Sequence, residues 1–179
     1  MYRKSWSNST MKELLEYIEQ DHRKIKEKLL KLQTLLEQAA EQAGPNSGVL
    51  DSLQQFYPVF KTKMENHFDK EEQILIPYIR QIDKAGGEPD TKHQFKSSGI
   101  KNPISQIEHD HDETENVMFT KLAALTGDYQ LPEDASGALK ALYEGLKDIE
   151  NDIRKHIILE NKTLFPWAIE LELQLIHKR

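Results

Sequence analysis

The chain has 179 residues, with 24 Lys and Arg against 30 Asp and Glu for a formal charge of −6, and it contains no cysteine. That length suits one domain with a real core or at most two small ones, with one as the working assumption, and the acidic balance, with no basic run, argues against nucleic acid as a partner. The lack of thiols excludes disulfides, thiolate zinc, cysteine-bound iron–sulfur clusters and a thiol nucleophile, so any metal must be held by His and carboxylate. No stretch approaches about 18 apolar residues, and the N-terminus MYRKSWSNST lacks the apolar segment of a secretion signal. A cytoplasmic protein with no membrane partner is the expectation.

Thr10 followed by Glu13 reads as a capping box that opens a helix over about 10–43, closed by Gly44-Pro45-Asn46. A second helical period covers about 49–82, with Pro58 and Pro77 inside it as expected kinks. Residues 84–100 are rich in Gly, Pro, Ser and Lys without a period and read as a long loop, either a mobile connector or a gate. Asn102-Pro103 reads as the cap and first turn of a third helix over about 102–126, stopped at Thr126-Gly127. The fourth covers about 133–176, with Gly137 and Gly145 as weak points near its start. No period-2 alternation competes, so the expected fold is all-α, an antiparallel up-down four-helix bundle forming a single domain over 1–179. Two helical hairpins packed at a steeper angle are the alternative.

Each predicted helix carries an apolar stripe at spacings of three and four. The first reads Leu15, Ile18, His22, Ile25, Leu29, Leu32, Leu36, and the second Phe56, Phe60, Met64, His67, Glu71, Ile74, Tyr78. The third reads Ile104, Ile107, His111, Met118, Leu122, Leu125, and the fourth Leu142, Leu146, Ile149, Ile153, His156, Glu160, Leu164, Trp167, Leu171. Every stripe is interrupted by a histidine, and two by a glutamate one turn further on. A single such His is ordinarily a hydrogen-bonded core residue, and a single buried Glu is ordinarily paired with a base. No Lys or Arg shares these stripes, so two carboxylates and four imidazoles together in an apolar core would be costly without a cation between them.

His22 lies 22 residues before Gly44 and His67 lies 19 after Gly48. In an antiparallel pair these heights differ by about 4.5 Å of helix rise. His111 lies 16 residues before Gly127 and His156 lies 24 after Pro132, a poorer match that requires a slack connection or an offset helix. An internal repeat strengthens the metal reading: HFDKEEQILIP from His67 and HIILENKTLFP from His156 share His, Glu four residues on, Leu at the ninth place and Pro at the eleventh. The i, i+4 spacing sets both side chains on one helix face, able to bind one cation or bridge two. Four imidazoles and two carboxylates suit first-row divalent metals. Two ions bridged by Glu71 and Glu160, with two His each and a solvent-derived oxo or hydroxo bridge, fit the count.

These repeats, with IEHDHDE in the third helix and TGDYQLPEDA before the fourth, resemble the hemerythrin-like domain of the iron–sulfur cluster repair (repair of iron centres) family over about Met11 to Leu171. The resemblance implies a non-haem di-iron centre, with manganese or zinc in second place, on His22, His67, Glu71, His111, His156 and Glu160. It implies a role in nitrosative or oxidative stress, repairing damaged iron–sulfur clusters by iron release or nitric oxide chemistry. Damaged iron–sulfur proteins or a thiol-bearing partner would then be the clients, because family members often carry an N-terminal domain with paired cysteines. A dioxygen-binding sensor or carrier is the alternative. It is disfavoured because oxygen-carrying hemerythrins have a second histidine on the third helix, where four places from His111 stand Ile107 and Glu115, and end with His and Asp five apart. A metal-free bundle used for association is a third reading. His109, two places from His111, is expected to face solvent; His93 in the loop and His177 at the C-terminus have no partner set. Tyr78, Phe60 and Trp167 read as packing around the site.

Overall fold

The computed structural model describes residues 6, 8–43, 48–87 and 99–177, and among them every regular element is helical. Four long helices follow one another: α1 (Met11–Ala43), α2 (49–87), α3 (101–126) and α4 (137–177). The all-α expectation therefore holds, with changes at the helix ends. The capping box at Thr10 forms as read: Glu13 N–H donates to Thr10 Oγ1 at 3.2 Å, and Thr10 N–H donates to Glu13 Oε2 at 2.7 Å. The stop at Gly44-Pro45-Asn46 lies outside the described residues. Pro58 sits inside α2 on its exposed face, where water can serve the carbonyl left without an N–H donor.

Helix α2 continues to Gly87, so residues 84–87 of the expected loop are helical; 88–98 lie outside the described residues, as do His93 and the connector or gate reading. Helix α3 starts at Lys101, with Ile100 rather than Asn102 ahead of its first turn. The reason is tertiary: the buried carboxylate of Glu172 accepts the Ile100 N–H at 3.0 Å and the Tyr78 hydroxyl at 2.6 Å, which anchors the entry to the helix. Its end is as expected, since Gly127 is left-handed with φ 57° and ψ 49°.

Helix α4 begins at Gly137, four residues later than expected. Asp128 and Tyr129 also take positive φ, Ala135 N–H bonds Pro132 O at 3.1 Å, and the Ser136 hydroxyl accepts the Leu139 N–H at 3.2 Å as a cap. His156 thus lies 19 residues after Gly137 against 16 from His111 to Gly127, a difference of 3 that equals the one between His22 and His67. The slack that the height argument required is the segment 128–136. Gly145 also has a packing reason: a Cβ there would meet Leu32 Cδ2 at 2.7 Å.

Three of the helices contain a π-helical stretch: Glu71–Leu75 in α2, Thr114–Phe119 in α3 and Glu160–Leu164 in α4. In the two repeats the widened turn is closed by the same bond, Ile76 N–H to Glu71 O and Phe165 N–H to Glu160 O, one residue before Pro77 and Pro166. A proline lacks the donor for the carbonyl four residues back and crowds it, and a widened turn relieves both defects. The inserted residue turns the following face by about 100°. The stripes are therefore corrected after each glutamate. Ile74 is 59 % exposed while Leu75 is 1 %, and Ile79 is buried in place of Tyr78. In α4, Ala168 and Glu172 are buried where Trp167 and Leu171 were expected.

The chain divides into two compact units. One comprises the chain up to Asp21, His67–His111 and the chain from His156 onward; its core joins Leu14, Leu15 and Ile18 to Ile76, Ile79, Ile104, Leu164 and Phe165, with Tyr78 and Trp167 partly buried against it. The other comprises His22–Asn66 and Asp112–Lys155. Its core includes Phe60 against Phe119 at 6.2 Å and Tyr57, whose hydroxyl donates to Leu29 O at 2.6 Å. Arg154 lies over the Phe119 ring at 4.6 Å and pairs with Glu150 and Glu115.

Candidate metal centre

Helical spacing sets His67 and Glu71 one turn apart on α2, and His156 and Glu160 one turn apart on α4. Each glutamate is the first residue of its π stretch, so its side chain belongs to the face set before the insertion and stays with its histidine. His67 Nε2 lies 3.5 Å from Glu71 Oε1, and His156 Nε2 lies 3.3 Å from Glu160 Oε1. From α3, His111 Nε2 lies 3.2 Å from Glu160 Oε2. Two groups of potential metal-binding atoms result, each within 4.8 Å of one another: His67, Glu71, His111 and Glu160, and His22, Glu71, His156 and Glu160. The two glutamates occur in both groups and each histidine in only one. All six residues are buried. His109 is exposed, and His177 is exposed with its Nδ1 bonded to Leu173 O at 2.7 Å.

The chemistry of this cluster suits a cation. His67 Nε2, His111 Nε2 and Glu160 Oε2 are buried and make no hydrogen bond. Polar atoms left so cost roughly 1–3 kcal/mol each, more when charged. Burial pushes Glu71 up to about 8, with the Glu160 charge adding to the effect. Burial also acts to raise Glu160, but the neighbouring His156 charge outweighs it and holds that carboxyl well below its ordinary range. Burial disfavours charged His156, yet Glu160 and then Asp21 raise it to about 10. Protein groups alone thus settle the site only by forcing a proton onto one carboxylate and holding imidazoles charged. A set of imidazole nitrogens and shared carboxylates matches first-row divalent metals, and the residues fit such a pair.

Two further residues hold rings and a third, Asp110, stands beside one, and the sequence reading did not single them out. His156 Nδ1 donates to Asp21 Oδ2 at 3.0 Å, and His111 Nδ1 donates to Asn161 Oδ1 at 2.9 Å. Because a carboxylate or an amide oxygen only accepts, each Nδ1 carries a proton, and the Nε2 lone pair of the neutral ring is left for a cation in the cluster. Asp110 Oδ2 stands 3.7 Å from His67 Nδ1 and accepts from Lys70 Nζ at 2.8 Å. The His67 ring and Lys70 hold Asp110 below the ordinary carboxylate range. Each of the three is the chain neighbour of one cluster residue: Asp21 of His22, Asp110 of His111, Asn161 of Glu160. That adjacency was the available signal. Phe165 adds a stacked ring 5.9 Å from His111, and Phe68 meets His156 edge-on at 5.6 Å.

No helix among the described residues is long and apolar enough to cross a membrane. The sequence matches the hemerythrin HHE cation-binding domain over residues 13–168. It is 31 % identical over 153 residues to the iron-sulfur cluster repair protein ScdA of Staphylococcus epidermidis, covering 85 % of this chain and 64 % of that protein. It is 27 % identical over 167 residues to the iron-sulfur cluster repair protein YtfE of Cronobacter sakazakii, covering 93 % of this chain and 69 % of the relative. YtfE of Escherichia coli gives the same identity and covers 70 % of that relative. The chain thus spans about two thirds of the length of these relatives. With a buried His and Glu cluster suited to a metal pair and a family match over most of its length, this chain belongs to the hemerythrin HHE cation-binding domain family.

Proposed function

We propose that His22, His67, Glu71, His111, His156 and Glu160 hold two iron ions, and that the protein serves the repair of damaged iron–sulfur clusters in nitrosative or oxidative stress. The observation that carries the reading is the double membership of Glu71 and Glu160: a carboxylate common to two groups of candidate ligands is placed to bridge two cations. Bound iron would supply redox capacity and an open position for a small ligand such as nitric oxide or dioxygen. The chain's own contribution is to present neutral Nε2 donors, share two carboxylates and exclude water from a core lined by Phe68 and Phe165. Support for cluster repair, with damaged iron–sulfur proteins as clients, comes from the names of the relatives; a thiol-bearing partner rests on the family resemblance alone. The family match runs unbroken from residue 13 to 168, which supports reading 1–179 as one domain.

The test is elemental analysis and an optical spectrum of protein expressed in iron-replete medium, followed by titration of the reduced protein with dioxygen. Two irons per chain and irreversible oxidation support the proposal. A stable, reversible oxygenated spectrum would replace it with the sensor or carrier reading, and absence of iron would remove both.

A further inference from the structure

We propose that Asp21 and Asn161 are positioning residues that make the two metal positions unequal, so that the ion beside His67 and His111 is held more loosely and leaves first. This rests on the two-metal reading above and adds which ion is labile.

A carboxylate on the far nitrogen of a metal-binding imidazole fixes its tautomer and raises its basicity toward the metal; a neutral amide fixes the tautomer but adds no charge. His156 has the carboxylate, Asp21 Oδ2 at 3.0 Å. His111 has the amide, Asn161 Oδ1 at 2.9 Å. His67 faces a carboxylate at 3.7 Å, too far for a hydrogen bond, and Lys70 at 2.8 Å draws that Asp110 charge away from the ring. The group that contains His67 and His111 therefore receives carboxylate support only from Asp110, at 3.7 Å and shared with Lys70, whereas the group that contains His156 has a carboxylate in direct hydrogen bond. Glu71 and Glu160 are common to both groups and cannot produce the difference. For a protein that delivers iron, the consequence is directional: one ion departs while the other, held through Asp21, keeps the site in shape.

The experiment loads metal-free protein with ferrous iron without oxygen and follows its removal by an excess of a ferrous chelator. Wild type should release its iron in two phases of about one ion each. Asp21→Asn should accelerate the slow phase by about 10- to 100-fold and leave the fast phase unchanged, the range typical of lost support to a metal ligand. Asn161→Asp should do the opposite, slowing the fast phase and leaving the slow one. Opposite effects on different phases cannot come from general destabilisation; thermal unfolding of the metal-free variants checks that each is folded. Asp21→Glu, which keeps the charge, should restore part of the slow phase. Two ions leaving wild type in one phase, or either variant moving both phases together, overturns the inference alone. Fewer than two ions in wild type overturns the two-metal reading and this inference with it.

Discussion

The amide N–H of Ile76 donates to the carbonyl of Glu71, five residues back, immediately before Pro77. Phe165 and Glu160 repeat the arrangement before Pro166. In each helix the widened turn starts at one of the two glutamates that both groups share, so the proline and the glutamate act on the same stretch of backbone.

Pro77→Ala returns the missing donor and removes the ring that crowds the carbonyl of Gln73. The turn should then relax toward ordinary α geometry and rotate the face beyond Glu71, returning Ile74 toward the core at the expense of Leu75. Iron retained after gel filtration should fall by half or more, while far-UV circular dichroism stays unchanged. Full iron content would show that the cluster, and not the proline, holds the widened turn.

Glu71→Ala and Glu160→Ala each delete a carboxylate that belongs to both groups. Bound iron should drop from two to at most one per chain, with helicity retained. His109→Ala, on the exposed side of α3, should leave iron content as it was. Should His109→Ala strip the iron while His111→Ala does not, the assignment of the third helix fails.

Metal removal should lower stability, because it leaves the buried imidazoles and carboxylates to one another. At a free metal concentration about 100 times Kd the gain is about 2.7 kcal/mol. For a chain of this length that corresponds to a rise in Tm of about 5–10 °C, read by calorimetry with and without a chelator. An unchanged Tm would argue against a structural bond between metal and fold.

Glu172→Ala should act on stability and not on metal. It leaves the buried Ile100 N–H and the half-buried Tyr78 hydroxyl without this acceptor, at a cost of about 1–3 kcal/mol in chemical denaturation. Tyr78→Phe, which keeps the ring and removes one donor, should cost about 1 kcal/mol. Loss of iron in either variant would connect Tyr78 to the metal site and overturn its assignment to packing.

Helix existence, the capping box at Thr10, the stop at Gly127 and the six candidate residues could all be read along the chain, because each depends on neighbours within one turn of helix. Spacing of three and four is enough to bring His67 beside Glu71 and His156 beside Glu160 before any partner helix is known. The start of α4 at Gly137 was missed because Pro132 to Ala135 hold helix-compatible residues that instead form a turn, with Ser136 as the cap. The start of α3 depends on Glu172, 72 residues away in sequence from Ile100.

The amino-acid order by itself determined four helices and which histidines and glutamates could share a face, since those follow from the local period of the backbone. Tertiary structure alone decided that Leu75 and Ala168 take the inner places that Ile74 and Trp167 would have had, because a widened turn changes the helix phase without altering the residue types that signal it. It also decided that Asp21 and Asn161 hold His156 and His111, because those bonds join separate helices and no spacing along one chain segment can encode them.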